Sequence, residues 1–175
     1  AILPFMEQET LYDQYVQEKE NMDDANKYVC QQILGPYICP SDMNTRKVAR
    51  PASGPRRYDY APGSYRAVSG VTRTRGGPHF DEGQNNRSED RGLLHTVYNK
   101  WNAERMADVV DGTSNTLIVG EYHTRTRNSR RTFWAYTYTS YNQSSITMGS
   151  PTAFGVADFD ECNSSANPAH GNDCK

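Results

Sequence analysis

The chain has 175 residues, Lys+Arg 19 against Asp+Glu 21, a formal net charge of -2 and 35% hydrophobic residues. That length predicts a single domain, residues 1–175, with a core large enough to fold unaided. No run approaches the roughly 20 apolar residues of a membrane span, and a pI near 6.1 argues against a nucleic-acid partner held through its phosphates.

Twelve tyrosines and thirteen glycines, with a mean hydropathy of -0.87, suit a polar, loop-rich domain built on antiparallel strands. In chain order, residues 5–33 carry apolar side chains at helical spacing: Phe5, Leu11, Tyr12, Tyr15, Val16, Met22, Tyr28, Val29 and Ile33. A break is expected near Asn21, and Gly35-Pro36 ends the helix. Cys39-Pro40-Ser41-Asp42 turns the chain, and residues 44–63 read as an irregular loop. Ser64 to Val71 reads as a strand, residues 72–92 as a second long loop, and Leu93 to Tyr98 as a short strand. Residues 104–111 predict a helical turn closed by Gly112. Thr116 to His123 and Arg131 to Tyr141 are the clearest strands, with Thr124 to Ser129 as a hairpin connection. In the second of them Trp134, Tyr136 and Tyr138 share one face, and Phe133, Ala135 and Thr137 the other. Residues 142–175 read as polar and irregular.

Residues 111–121, Asp-Gly-Thr-Ser-Asn-Thr-Leu-Ile-Val-Gly-Glu, are the most informative stretch. Asp111-Gly112 signals a turn, and Thr113, Ser114, Asn115 and Thr116 are short polar side chains suited to bonding nearby backbone. The expectation is a structural loop that locks itself before entering a core strand. Asp111, Gly112, Thr113, Ser114, Asn115, Thr116 and Glu121 form that motif.

Charge is segregated. Glu7, Glu9, Asp13, Glu18, Glu20, Asp23 and Asp24 precede Arg46, Lys47, Arg50, Arg56, Arg57, Arg66, Arg73 and Arg75. Either both stretches are solvated, or they complement each other within one subunit or between neighbours. Glu18, Asp23, Asp24, Arg56, Arg57, Arg73 and Arg75 are the candidate interface residues, and a basic stretch carrying Tyr58 and Tyr60 also suits an acidic neighbour or an anionic glycan.

Cys30, Cys39, Cys162 and Cys174 lack Cys-x-x-Cys spacing, which argues against a zinc ribbon or a thioredoxin-type site. An even number favours disulfides in an oxidising compartment. Three connectivities exist, and local spacing favours Cys30–Cys39 with Cys162–Cys174. His170 and Cys174 have a zinc-like i, i+4 spacing, with which that disulfide competes. Asp158, Asp160 and Glu161 are hard-oxygen ligands suited to calcium, although Asn163 stands where an EF-hand loop needs glycine; an acidic loop beside a disulfide is the plainer reading. No nucleophile elbow, zinc-protease helix, phosphate loop or dinucleotide fingerprint occurs. The expectation is therefore a non-enzyme without a cofactor.

Five stretches together resemble one family. They are Leu3-Pro4-Phe5-Met6-Glu7-Gln8 with Leu11-Tyr12, Tyr37-Ile38-Cys39-Pro40-Ser41-Asp42, Ser64-Tyr65-Arg66-Ala67-Val68-Ser69-Gly70, Arg91-Gly92-Leu93-Leu94-His95, and Asp111 to Glu121. In this order they are similar to segments of prepilin-like bacterial envelope proteins of unknown function, abundant in planctomycetes. The resemblance implies an α+β pilin-like head, in which an N-terminal helix packs on an antiparallel sheet with long loop insertions. The family's prepilin leader, long apolar helix and closing His…Asp-Gly-Ser segment have no counterpart here, so the expectation is that the chain is part of a longer protein. The resemblance implies a non-catalytic extracellular or envelope protein that associates with itself or with other envelope proteins, touching a membrane only through the absent helix. The rival is a monomeric secreted module binding glycan or calcium through its loops.

Overall fold

The expected N-terminal helix is broken into short pieces. The computed structural model describes residues 2–42, 45–55, 57–72, 90–97, 102–122, 128–138 and 141–147. A 3-10 turn spans Leu3–Met6, helix α1 spans Glu9–Asp13, a second 3-10 turn spans Asp24–Asn26, α2 spans Lys27–Cys30 and a third 3-10 turn spans Gly35–Tyr37. Glu7 ends the first turn in the left-handed region, at φ 57°. Beyond α1 the chain wraps around the fully buried side chain of Asn26. Asn26 Oδ1 accepts from Val16 N–H at 2.8 Å. Its Nδ2 donates to the carbonyls of Val16, Lys19 and Glu20 at 3.1, 3.3 and 3.1 Å. One amide thus satisfies backbone groups that a continuous helix would have paired within itself.

The strands are β1 (Pro62–Gly63), β2 (Tyr65–Thr72), β3 (Val119–Glu121), β4 (Thr132–Phe133) and β5 (Gln143–Thr147). β2 is the centre of a three-stranded sheet of order β3-β2-β5, antiparallel to β3 and parallel to β5; β1 and β4 make a two-stranded antiparallel sheet. The fold is α+β, and β2 matches its expected span within a residue at each end. The hairpin does not form, because β3 and β4 belong to different sheets. Residues 143–147 were expected to be irregular and instead supply β5. Leu93 to Val97 make no strand; backbone pairing there is a single bridge between Gly70 and Arg91. At that crossing Gly70 has φ 119°, and a Cβ on it would lie 2.1 Å from the Asp90 carbonyl oxygen, so no side chain fits.

Two apolar clusters fill the interior. Leu3, Leu11, Val29 and Leu34 form one, and Cys30, Tyr58, Tyr60, Phe133, Ala135, Tyr136 and Tyr141 the other, with Trp134 packed against both. A core rich in tyrosine needs hydroxyl partners. Tyr58 donates to the Asn21 carbonyl, Tyr136 donates to the Ser53 carbonyl at 2.9 Å, and Tyr141 Oη accepts from Ser53 N–H at 2.9 Å. These bonds override the strand alternation expected for residues 131–141. β4 stops at Phe133, the chain turns, and Tyr136 is buried while Tyr138 is 41% exposed. Trp134, Tyr136 and Tyr138, expected to share one face, thus differ in burial.

Cys30 and Cys39 are free thiols, not the expected disulfide. Cys30 Sγ points into the core, 3.5 Å from the Asn21 carbonyl oxygen. Cys39 Sγ lies 3.0 Å from Ser41 Oγ. The intervening turn is closed without a covalent bond: Tyr37 N–H donates to Leu34 O and Ile38 N–H to Gly35 O, each at 3.0 Å, and Ser64 Oγ accepts from Cys39 N–H at 3.0 Å. Cys162 and Cys174 lie outside the described residues.

Candidate functional site

The Asp111 loop is self-closed, as its short polar side chains suggest. Gly112 turns the chain at φ 89°, and a 3-10 turn follows over Thr113–Asn115. Asn115 N–H donates to Gly112 O at 3.0 Å, and Asn115 Nδ2 donates to Asp111 O at 3.1 Å. The Thr116 hydroxyl lies 3.0 Å from Asp111 Oδ1 and 3.1 Å from Gly112 O. Asp111, Gly112, Thr113, Ser114 and Asn115 are all exposed. The strand this loop enters is not the core strand expected. Leu117 is 62% exposed and Val119 48%, and Val110, on the other side of the closed neck, is 96% exposed.

β3 lies at the edge of its sheet, with β2 as its neighbour among the described strands. The ladder toward β2 runs through Val68 N–H to Ile118 O at 2.8 Å and Tyr122 N–H to Ser64 O at 2.7 Å. In an antiparallel ladder the inward and outward backbone groups alternate, so those of Val119 and Glu121 face away from β2. Glu121 is exposed and stands opposite Tyr65, and Val119 opposite Ala67. Cross-strand partners share a face, so Tyr65, Ala67, Val119 and Glu121 look out together.

Tyr65 also borders a cleft of about 490 Å³ whose walls include Ile2, Tyr12, Tyr15, Tyr37 and Trp134. Tyr37 stacks on Trp134 at 5.5 Å with the rings 5° from parallel, and Trp134 Nε1 donates to Gln32 O at 2.9 Å. Asn21 ties down the floor: its Nδ2 donates to Ala135 O at 2.6 Å, and its Oδ1 accepts from the Tyr15 hydroxyl. Among the described residues the walls carry no charged side chain, so the cleft suits a neutral, flat ligand.

The buried titratable groups serve structure. Burial pushes the Cys30 thiol up to about 11, which keeps it protonated and unreactive at neutral pH. Burial likewise raises Tyr58, with Cys30 and Tyr60 adding to it. Arg66 is 3% exposed, and burial lowers its guanidinium to about 10. Its Nε donates to Thr132 Oγ1 at 2.9 Å, and its plane covers the Tyr122 ring at 3.4 Å. Arg131, 2% exposed, is likewise lowered to about 10 by burial, and it donates to Lys47 O. His95 Nδ1 lies 2.9 Å from Thr96 O and so carries a proton. Glu104 Oε1 pairs with Arg91 Nη1 at 3.1 Å, fastening residue 91 to residue 104, and His95 Nε2 lies 3.3 Å from the same oxygen. Sequence reasoning missed this clip and the cleft. Their partners are far apart in the chain, and only the Arg91–His95 motif hinted at the first.

The expected interface residues divide. Glu18 is exposed. The Asp23 carboxylate caps the Asp24–Asn26 turn, accepting from Ala25 N–H at 3.0 Å. Asp24 pairs with Arg57 of the same chain at 3.8 Å, and Arg57 also donates to Met22 O at 3.4 Å. This part of the acidic and basic stretches therefore meets within one subunit. Arg56, Arg73 and Arg75 lie outside the described residues, as do the calcium candidates Asp158, Asp160 and Glu161. Among the described residues no three His, Cys, Asp or Glu side chains are grouped to hold a metal, and no helix is long and apolar enough to cross a membrane.

No curated protein matches the chain. No solved structure matches it. One protein family does, over residues 1–174, and nearly the whole sequence is covered by that match. On this ground the chain belongs to the family described as "Protein of unknown function (DUF1559)".

Proposed function

We propose that the chain is a non-catalytic structural protein of the cell envelope or extracellular space, pilin-like in role, that acts as a subunit of a filament or surface assembly. The observation that carries this reading is the apolar group around the self-closed loop: Val110, Leu117 and Val119 are 96%, 62% and 48% exposed. Exposed apolar side chains gathered at one place on a polar domain mark a surface that another molecule covers. The contact is apolar in character, since Asp24 and Arg57 pair within the chain and Arg66 is buried. Sedimentation velocity over a concentration series, at low and physiological salt, tests it. Concentration-dependent association that persists in salt is expected; a monomer throughout contradicts the reading.

The uncharged aromatic cleft favours a second reading, a module binding a neutral glycan. Rings such as Tyr12, Tyr65 and Trp134 offer stacking faces to a sugar. Saturable quenching of tryptophan fluorescence by a neutral oligosaccharide supports this reading, and a blank glycan array opposes it.

A further inference from the structure

We propose that two copies join edge to edge through β3, each supplying Leu117 to Glu121 as an antiparallel strand to the other, across a two-fold axis at Val119. The inference rests on the assembly reading and names its contact surface.

Three observations place the contact there. First, the ladder to β2 leaves the backbone groups of Val119 and Glu121 pointing outward. An edge with free N–H and C=O groups is a template for another strand, and strand addition is a recurrent mode of recognition. Second, this edge is apolar where protected edges carry lysine or proline: Leu117 and Val119 are exposed at 62% and 48%. Third, a Cβ built on Gly120 has nothing within 4 Å. Glycine in a strand commonly marks a place where another backbone comes close.

The occupant follows from register. With the axis at Val119, the two Val119 residues face each other as a hydrogen-bonded pair, donating N–H to C=O in both directions. Leu117 of each copy then stands opposite Glu121 of the other, along the same alternation. Apolar side chains meet at the centre, and the two Glu121 carboxylates lie at opposite ends of the paired segment, so like charges stay apart. A strand that complements itself in this way makes an isologous contact, the commonest kind between identical subunits. Pairing with β5 of another copy would set Leu117 and Val119 against a largely polar strand, in which Ile146 is the one apolar residue. The joined sheet would run through both copies in the order β5-β2-β3-β3-β2-β5.

The test uses the whole chain with two substitutions. In the pairing proposed, Val119→Cys brings two Cα atoms to the ~5.5 Å of a hydrogen-bonded pair, within disulfide range. Mild oxidation should give a 119–119 cross-link by peptide mapping, whereas Tyr28→Cys, at an exposed site on α2, gives none. Val119→Lys should weaken self-association roughly tenfold or more, since it buries a charge at an apolar contact. At a concentration where the wild type is monomeric its melting temperature should match that of the wild type, which separates lost contact from lost fold. If the wild type associates but Val119→Cys gives no 119–119 cross-link and Val119→Lys associates as strongly as the wild type, this contact is wrong while the assembly reading stands. If the wild type is monomeric at every concentration, both fall.

Discussion

Asn26 ties the N-terminal segment together from inside. Its amide holds Val16, Lys19 and Glu20 in place, and nothing in the hydrophobic spacing of residues 5–33 announces that. Replacing it by Ala should cost ~1–3 kcal/mol, as the Val16 N–H and the carbonyls of Val16, Lys19 and Glu20 each lose a buried partner. Asn26→Asp, though nearly the same shape, should be worse, because a carboxylate would face three carbonyls with no donor. Urea denaturation compares the two, and a well-tolerated Asp would refute this role. Cys30 offers a second check. Its thiol is raised from 9.0 to about 11, so the folded state holds its proton longer than the unfolded chain does. The stability this contributes is complete below pH 9 and is lost as pH rises through about 11. Iodoacetamide mapping of the native protein at pH 8 should label Cys39 and spare Cys30. Equal labelling would contradict the buried, unreactive thiol.

Among the elements, β2 was legible and the others less so. Its expected span, Ser64 to Val71, falls on the central strand, where local and tertiary preferences point the same way. The strand expected over residues 131–141 failed because Tyr136 and Tyr141 find hydroxyl partners on Ser53, a contact across the chain that no local pattern encodes. β5 was missed for the opposite reason: Gln143, Ser144 and Ser145 look like loop, and pairing with β2 makes them strand. The signature loop was legible in kind, through its short polar side chains, but not in position, because it leads to an exposed edge. Gly70→Ala should destabilise by at least ~2 kcal/mol, since a Cβ would run into the backbone of residues 90–92 and φ is positive. Asn115→Ala, which loses one exposed side-chain bond to Asp111, should cost only ~0.5–1.5 kcal/mol. Thermal melts of both variants should rank them in that order. The reverse ranking would mean that the loop, and not the crossing at Gly70, braces the sheet.

For the whole molecule, the segregation of charge visible in the sequence closes partly inside one subunit, through Asp24 and Arg57. Exposed ion pairs of this kind contribute ~0.2–1 kcal/mol each and weaken in salt. Beside the closed loop the surface also carries an apolar group, Val110, Leu117 and Val119. A contact made there should persist from low to physiological salt and fail when charge is introduced at the edge. Hydrogen exchange followed by mass spectrometry, on the same protein at high and low concentration, reads that edge directly. Amides of residues 117–121 should gain protection as concentration rises, while those of the exposed Asp111 loop exchange at one rate throughout. Identical exchange of residues 117–121 at every concentration would contradict an association surface on β3.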